Sequence, residues 1–342
     1  MRSLAENFIR LNNKVYIEST NGDSLVDDSL KKFFRKTTSP DIDICYTLPR
    51  NFQHRFLKSS KKKLAIYNYE TDVMPQEWKS SVNYVDYVLP SSNFSKKIFI
   101  KNGWPEKKCI VIPHGINLED FKDKRKANNI LNNKKFRFLN VSIPHYRKNI
   151  EILVDAYYSA FSHKDDVCLV LKTTLKPPNP NHPFECDVTK EILKAQKKHK
   201  GKMLPQIEII EHRYDTMTPL YNSCDCIVSA SSSEGFGLPL LEALASNMVV
   251  VAPNFSGHLD FLNKNNSILY DVKMGNAPNR YQYWRQSKNA TTSFPLKDSL
   301  ASAMLNAYKN KDSLIKSFSG NMKETVNKFT WEQAAKKILE IQ

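Results

Sequence analysis

Short apolar runs of strand length alternate along this chain with longer segments whose apolar residues recur every three to four positions. Residues 15–18, 42–46, 64–67, 87–89 and 109–112 form a first set of strand candidates, with helical patterns at 78–85 and 92–102 between them. A second series places strands at 136–141, 167–172, 207–210, 226–230 and 248–252. Its helices are expected at 149–161, 189–198, 218–223 and 239–246. Strands alternating with helices argue for parallel sheets covered on both faces. The pattern therefore predicts an α/β protein with two Rossmann-like domains facing each other across a cleft. Residues 331–341 read as a closing amphipathic helix.

Between the two series lie Ile112-Pro113-His114-Gly115-Ile116-Asn117 and a polar run ending at Lys135, which sets the expected boundary. The predicted division is 1–133, 134–325 and 326–342. Residues 173–188 hold four prolines and read as a surface loop. Residues 273–297, rich in Asn, Gln and aromatics, carry no pattern that assigns them, and no internal repeat is visible.

Composition narrows the class. The 342 residues suffice for two domains of ordinary size. A chain 41% hydrophobic and 25% charged is globular, not disordered. No apolar run approaches the ~20 residues that span a bilayer. The opening Met1-Arg2-Ser3-Leu4-Ala5-Glu6 is already polar and helix-like, so no signal peptide is expected. The six cysteines show neither metal spacing nor a disulfide framework. Cys224 and Cys226 read as two small buried hydrophobes sharing one strand face, and a reducing cytoplasmic setting fits.

The net charge of +16 gathers locally at Lys61-Lys62-Lys63, Lys96-Lys97, Lys107-Lys108 and residues 122–126. Solvated faces are its first reading. Peripheral contact with an anionic membrane surface is the second. Nucleic acid comes last, because no binding motif accompanies the charge.

The chemistry concentrates at residues 231–242, Ser-Ser-Ser-Glu-Gly-Phe-Gly-Leu-Pro-Leu-Leu-Glu. Two of the chain's nine glycines, Gly235 and Gly237, sit there between Glu234 and Glu242, which lie eight positions apart. The preceding residues read as a buried strand, and Pro239 suits the first turn of the helix that follows. A strand, a glycine turn and a helix N-terminus aim backbone N–H groups and a helix dipole at one point. A phosphate or a polar sugar suits that point. The plainer reading is a tight turn in which Glu242 favours the helix dipole.

This turn resembles the glutamate-x7-glutamate signature of glycosyltransferase family 4. Further stretches share the resemblance. Val249-Val250-Val251-Ala252 with Ser256-Gly257 looks like the family's next strand and glycine turn. Tyr146-Arg147-Lys148-Asn149 looks like its arginine-lysine-glycine helix start, and Ile112-Pro113-His114-Gly115-Ile116-Asn117 like its interdomain motif. Glu70-Thr71-Asp72 with Pro75 and Trp78 resembles one bacterial-type subgroup. Phe329-Thr330-Trp331 looks like the start of the closing helix, which in this family crosses back to the first domain.

The resemblance implies a retaining, metal-independent transferase of the GT-B arrangement, with no cofactor beyond its nucleotide-diphosphate-sugar donor, linked to UDP or GDP. It gives Glu234 to the donor sugar and Glu242 to the ribose. It places the backbone at Gly235, Phe236, Gly237 and Leu238 against sugar and phosphates. Arg147 and Lys148 fall after the first strand of the second domain, where they would clamp the departing phosphates. Lys172 ends a strand, where an approach to the same phosphates stands level with a structural role. Glu70 lies on the cleft side, where contact with acceptor or donor stands level with a structural role. His114 reads as packing at the domain boundary before catalysis. Asp41-Ile42-Asp43 looks like an Asp-x-Asp metal motif but opens a strand in the wrong domain.

The expected acceptor is a glycan, lipid-linked saccharide or protein. The rival reading is a non-catalytic relative that binds sugar nucleotides or a partner. Three departures stand out. The position five before Lys148, where many members carry arginine, is Ile143. The glycine expected after Lys148 is Asn149, tolerable in helical backbone. The chain also opens in what looks like the family's first helix, so the opening strand and glycine loop of the first domain are expected to be missing.

Overall fold

The computed structural model describes residues 1–17, 33, 39–56, 60–128, 130, 133–176, 185–279 and 289–341. The chain begins with helix α1 (Arg2–Arg10). Strands β1 (Ile42–Tyr46), β2 (Lys62–Ile66) and β3 (Tyr87–Leu89) form a parallel sheet in that order. Ile44 stands opposite Leu64, and Leu64 opposite Tyr87. Helix α2 (Asn93–Lys101) follows, started by Ser92, whose hydroxyl accepts from the Ser95 N–H.

Two strand expectations in this region fail, and one helix changes type. Residues 15–17 lie outside any strand, and Glu18 lies outside the described residues. The chain leaves α1 through Asn12 at φ 60°, and Ile17 N–H donates to the Phe33 carbonyl. Residues 109–112 supply a single parallel bridge, Val88 to Cys109. Gln76–Tyr84 is a 3₁₀ segment entered from Pro75. Its Ser80-Ser81-Val82-Asn83 run is made of weak helix formers.

The second sheet has six parallel strands in the order β6-β5-β4-β7-β8-β9. They are β4 (Phe136–Val141), β5 (Val167–Lys172), β6 (Gln206–Ile210), β7 (Cys226–Val228), β8 (Val249–Pro253) and β9 (Ile268–Tyr270). Helices α3 (Ile150–Ala160), α4 (Val188–Lys198), α5 (Thr218–Tyr221) and α6 (Leu238–Ala245) make the crossovers. Alternating strand residues serve two cores. Phe138, Leu169, Val228 and Val251 face one, while Leu139, Val170, Ile227 and Val250 face the other. Cys226 belongs to the first and Cys224 to the second, so the expected shared face is wrong. Cys224 lies in the turn ahead of β7, where strand alternation does not apply.

Strand order reverses between β4 and β7, which are direct neighbours. Such a switch point opens a crevice at the carboxyl ends of the two strands, where open α/β sheets take ligands.

Strand β9, a hairpin and a long helix lie beyond the sequence expectations. An antiparallel hairpin pairs β10 (Val272–Asn276) with β11 (Thr291–Pro295); residues 280–288 between them lie outside the described set. The 32-residue helix α7 (Lys297–Lys328) is broken at Asn310, with φ −119° and ψ 18°. That break interrupts the apolar period by which a helix is read. Helix α8 (Trp331–Leu339) follows, and its Ala334, Ala335 and Ile338 pack with Leu4, Leu64, Ile66, Leu89 and Ile112. Among the described residues, no helix is long and apolar enough to cross a membrane.

Candidate active site

The crevice between β4 and β7 is furnished by the two segments that leave those strands. After β7 the chain runs through Ser231, Ser232 and Ser233, all buried, to Glu234-Gly235-Phe236-Gly237 and the start of α6. Gly237 caps α6 at φ 93°, a left-handed conformation that side chains other than glycine adopt at a cost. A Cβ on Gly235 would stand 2.7 Å from Cβ of Asn68, so this glycine lets the turn meet the first domain.

After β4 comes the short 3₁₀ segment Tyr146–Lys148, capped by His145, whose Nδ1 accepts from Arg147 N–H at 3.1 Å. Asn149 then takes φ 51° and ψ 48°. The backbone there is left-handed rather than helical, and asparagine is among the few residues that substitute for glycine in that region. Its amide also donates to the Ala230 carbonyl and the Ser232 hydroxyl, both at 2.8 Å, tying the two segments together. Asn149→Ala is expected to lose roughly 1–2 kcal/mol of stability to backbone strain beyond the lost hydrogen bonds. Asn149→Gly escapes the strain, so urea unfolding ranks it above Asn149→Ala.

These segments bring together the residues expected to do the chemistry. Lys148 Nζ is ion-paired with Glu234 Oε1. Arg147 Nη1 donates to the Ser233 carbonyl at 2.6 Å and approaches Glu234 Oε2 at 3.3 Å. Arg147 Nη2 meets Glu70 Oε1 at 2.9 Å, across from the first domain. Ile143 is 53% exposed, so the guanidinium inside the crevice is supplied from position 147.

Burial governs the protonation of this cluster. It pushes the Glu234 carboxyl up, but Lys148 and Arg147 outweigh it and hold the group at about 2. Burial pulls the Lys148 ammonium down, against Glu234. It also pushes Glu70 up, with Glu234 adding to the rise and Arg147, Lys148 and the Gly235 N–H opposing it. The site thus offers two buried cations, each already facing a carboxylate.

The remaining expected residues lie around this centre. Phe236 packs against His114, centroids 5.5 Å apart, and His114 against Trp331 at 5.3 Å. Burial, reinforced by the chain's N-terminal ammonium, lowers His114 to about 4, so it is neutral at pH 7. Leu238 opens α6, and Glu242 sits one turn on, receiving the Tyr221 hydroxyl at 2.5 Å. Lys172 is not drawn in. It ends β5 with Glu211 as its charged neighbour, and burial lowers its ammonium. Of the Asp-x-Asp pair, Asp41 bonds Lys61 and Asp43 bonds Ser60. Among the described residues, no group of three or more His, Cys, Asp or Glu side chains is placed to hold a metal ion.

The first domain closes directly on the turn, which sequence reading did not reveal. Ser92 Oγ donates to the Gly235 carbonyl at 2.6 Å, and the Asn93 N–H donates to Asp260 Oδ2 at 2.7 Å. Thr291 N–H donates to Asp72 Oδ1 at 2.5 Å, and Phe94 stacks edge-on against Phe255.

Known proteins share the fold. Residues 121–277 match the family model Glycosyl transferases group 1. The matched region runs from before β4 to the end of β10 and includes Arg147, Lys148, Glu234 and Glu242. A probable sucrose-phosphate synthase of Thermosipho melanesiensis is 23% identical over 314 residues, 86% of this chain. The chain spans 64% of the length of that relative. A glycosyltransferase structure from Rickettsia africae superposes with a TM-score of 0.65 at 19% identity, over 98% of this chain and 86% of the other. HepE of Anabaena, solved with UDP and glucose, gives 0.60 at 16% identity, over 82% and 71%. Sucrose-phosphate synthase of Thermosynechococcus elongatus gives 0.64 at 16%, over 88% and 72%. At these identities the likeness concerns the fold: an α/β, GT-B arrangement of two Rossmann-like domains.

Proposed function

We propose that the chain transfers a hexose from a nucleotide-diphosphate sugar to a glycan, lipid-linked saccharide or protein acceptor, with retention of anomeric configuration and without a metal ion. The observation that carries this reading is the buried Arg147–Lys148–Glu234 cluster at a switch-point crevice, beside a glycine turn and a helix N-terminus. A donor with two phosphates and a sugar matches those parts. Arg147 and Lys148 face the diphosphate, Glu234 accepts sugar hydroxyls, and Glu242 accepts from the ribose. UDP and glucose in HepE of Anabaena support the nucleotide-sugar class.

The chemistry follows from charge. The bond from C1 to the phosphate oxygen breaks, negative charge grows on the leaving diphosphate, and positive charge grows on the sugar ring. Two cations already in the crevice stabilise the first. The Glu234 carboxylate, ionised down to about pH 2, stabilises the second. The acceptor hydroxyl forms the new C1–O bond on the face the diphosphate leaves, and its proton passes to a phosphate oxygen.

Donor hydrolysis and transfer, assayed with UDP- and GDP-linked hexoses, test the reading. Turnover with at least one donor is expected, and Glu234→Ala is expected to lower kcat by about a hundredfold or more. Nucleotide-sugar binding without turnover in the wild type would instead support the non-catalytic relative.

A further inference from the structure

Glu242 is set apart from the other carboxylates of the site, because its partner is a phenol and not a cation. Tyr221 Oη donates to Glu242 Oε2 at 2.5 Å. Tyr221 closes the short helix α5 and is fully buried in the second core, among residues that include Leu220, Leu241 and Leu244. Burial, with Glu242 adding, pushes its hydroxyl well above the ordinary range, so it stays a neutral donor. Glu242 itself is raised by burial, with the Tyr221 hydrogen bond opposing and Asp120 adding. A carboxylate that receives one hydrogen bond on Oε2 keeps its other oxygen and one lone pair for further donors. A core-anchored phenol also fixes the direction in which they point, because the tyrosine ring is locked by packing.

We propose that Tyr221 is a positioning residue, turning Glu242 so that its remaining acceptor sites take the 2′- and 3′-hydroxyls of a ribose, and thereby setting a preference for ribonucleotides over 2′-deoxyribonucleotides. This rests on the nucleotide-sugar reading and adds to it the source of sugar-type discrimination in the nucleotide. Glu242 supplies the acceptor oxygens, and Tyr221, which touches no ligand, supplies their orientation.

Calorimetric titration of the full chain with UDP against 2′-deoxy-UDP, and GDP against 2′-deoxy-GDP, tests it. Wild type is expected to favour the ribose form of one pair by about tenfold or more, the usual size of a hydrogen bond to a charged group. Tyr221→Phe is isosteric, and its Tm reports whether the fold holds. It is expected to reduce the ribo-to-deoxy ratio to within about twofold, with a smaller loss for the deoxy form, which keeps only its 3′-hydroxyl. Glu242→Gln lowers the ratio too, and adding it to Tyr221→Phe brings little further loss, since the two residues act as one unit. A folded Tyr221→Phe that keeps the wild-type ratio overturns the positioning role alone. A wild type that binds neither pair, or is blind to the 2′-hydroxyl in both, overturns the ribose assignment of Glu242 and this inference with it.

Discussion

Lys148→Ala is expected to turn over donor at about a hundredth to a thousandth of the wild-type rate, with a far smaller change in KM. Lys148 Nζ is the cation paired with Glu234 Oε1, and its side chain is 15% exposed. The negative charge it would meet grows as the C1–O bond breaks, so the loss falls on the transition state more than on the bound donor. Arg147 cannot take over the task, because its guanidinium is already divided between Glu70 and Glu234. Lys148→Arg is expected to rescue little, since a planar fork does not replace a point charge in a packed crevice.

The same substitution changes the pH profile. In the wild type Lys148 and Arg147 hold Glu234 at about 2 in spite of burial. A folded-state value below the ordinary carboxylate range means that the ionised pair stabilises the protein above that range. That contribution is lost as pH falls toward 2. Without Lys148, burial regains weight and the carboxyl titrates higher, so the variant's residual activity acquires an acid limb in the ordinary carboxylate range or above. A kcat within threefold of wild type in steady-state assays, on a protein of unchanged Tm, would remove Lys148 from the reaction.

What the sequence discloses and what it hides follow a physical division. Strands β5, β7 and β8 are buried on both faces, so each is a near-continuous apolar run that announces itself. The turn from Ser231 to Glu242 is local, and so is the Tyr146–Lys148 segment; both are legible because each makes its shape from adjacent residues. Helix α7 escapes because Asn310 breaks its period, and the β10–β11 hairpin because its strands are polar. The pairings that complete the site join distant positions. Asn93 and Asp260 are 167 residues apart, and no spacing rule connects them. Asn149 is instructive in a different way. The departure from glycine that looked acceptable only in helical backbone sits in left-handed backbone, where asparagine keeps the glycine conformation and adds the hydrogen bonds that tie β4's exit to β7's.

Glu70→Gln is expected to bind the nucleoside diphosphate about tenfold more tightly than the wild type. Glu70 comes from the first domain, yet its carboxylate lies on the groups a diphosphate would use, Arg147 Nη2 at 2.9 Å and the Gly235 N–H. An incoming diphosphate therefore meets a resident anion and must either displace it or endure it. Two like charges about 5 Å apart at an effective dielectric near 20 repel by roughly 3 kcal/mol, enough for a tenfold effect after partial relaxation. Glutamine keeps the shape and removes the charge. The pH dependence identifies the group. Burial raises the Glu70 carboxyl, so it takes up its proton at a higher pH than an ordinary glutamate and then ceases to compete. Wild-type affinity should rise as pH falls through that titration, while Glu70→Gln should lack the rise. The phosphate's own protonation is common to both proteins, so the difference between them isolates Glu70. Its charged neighbours do not confuse the result. Glu234 stays ionised to about 2, Arg147 stays cationic, and burial pushes the surrounding Tyr67 and Tyr69 hydroxyls upward, leaving them neutral. Lys148 is lowered by burial and opposed by Glu234, and it is present in both proteins. Titrations with UDP, which lacks the sugar, separate this competition from any contact Glu70 makes with donor hexose or acceptor. Equal or weaker UDP binding by Glu70→Gln would show that the carboxylate holds Arg147 in place for the diphosphate and does not block it.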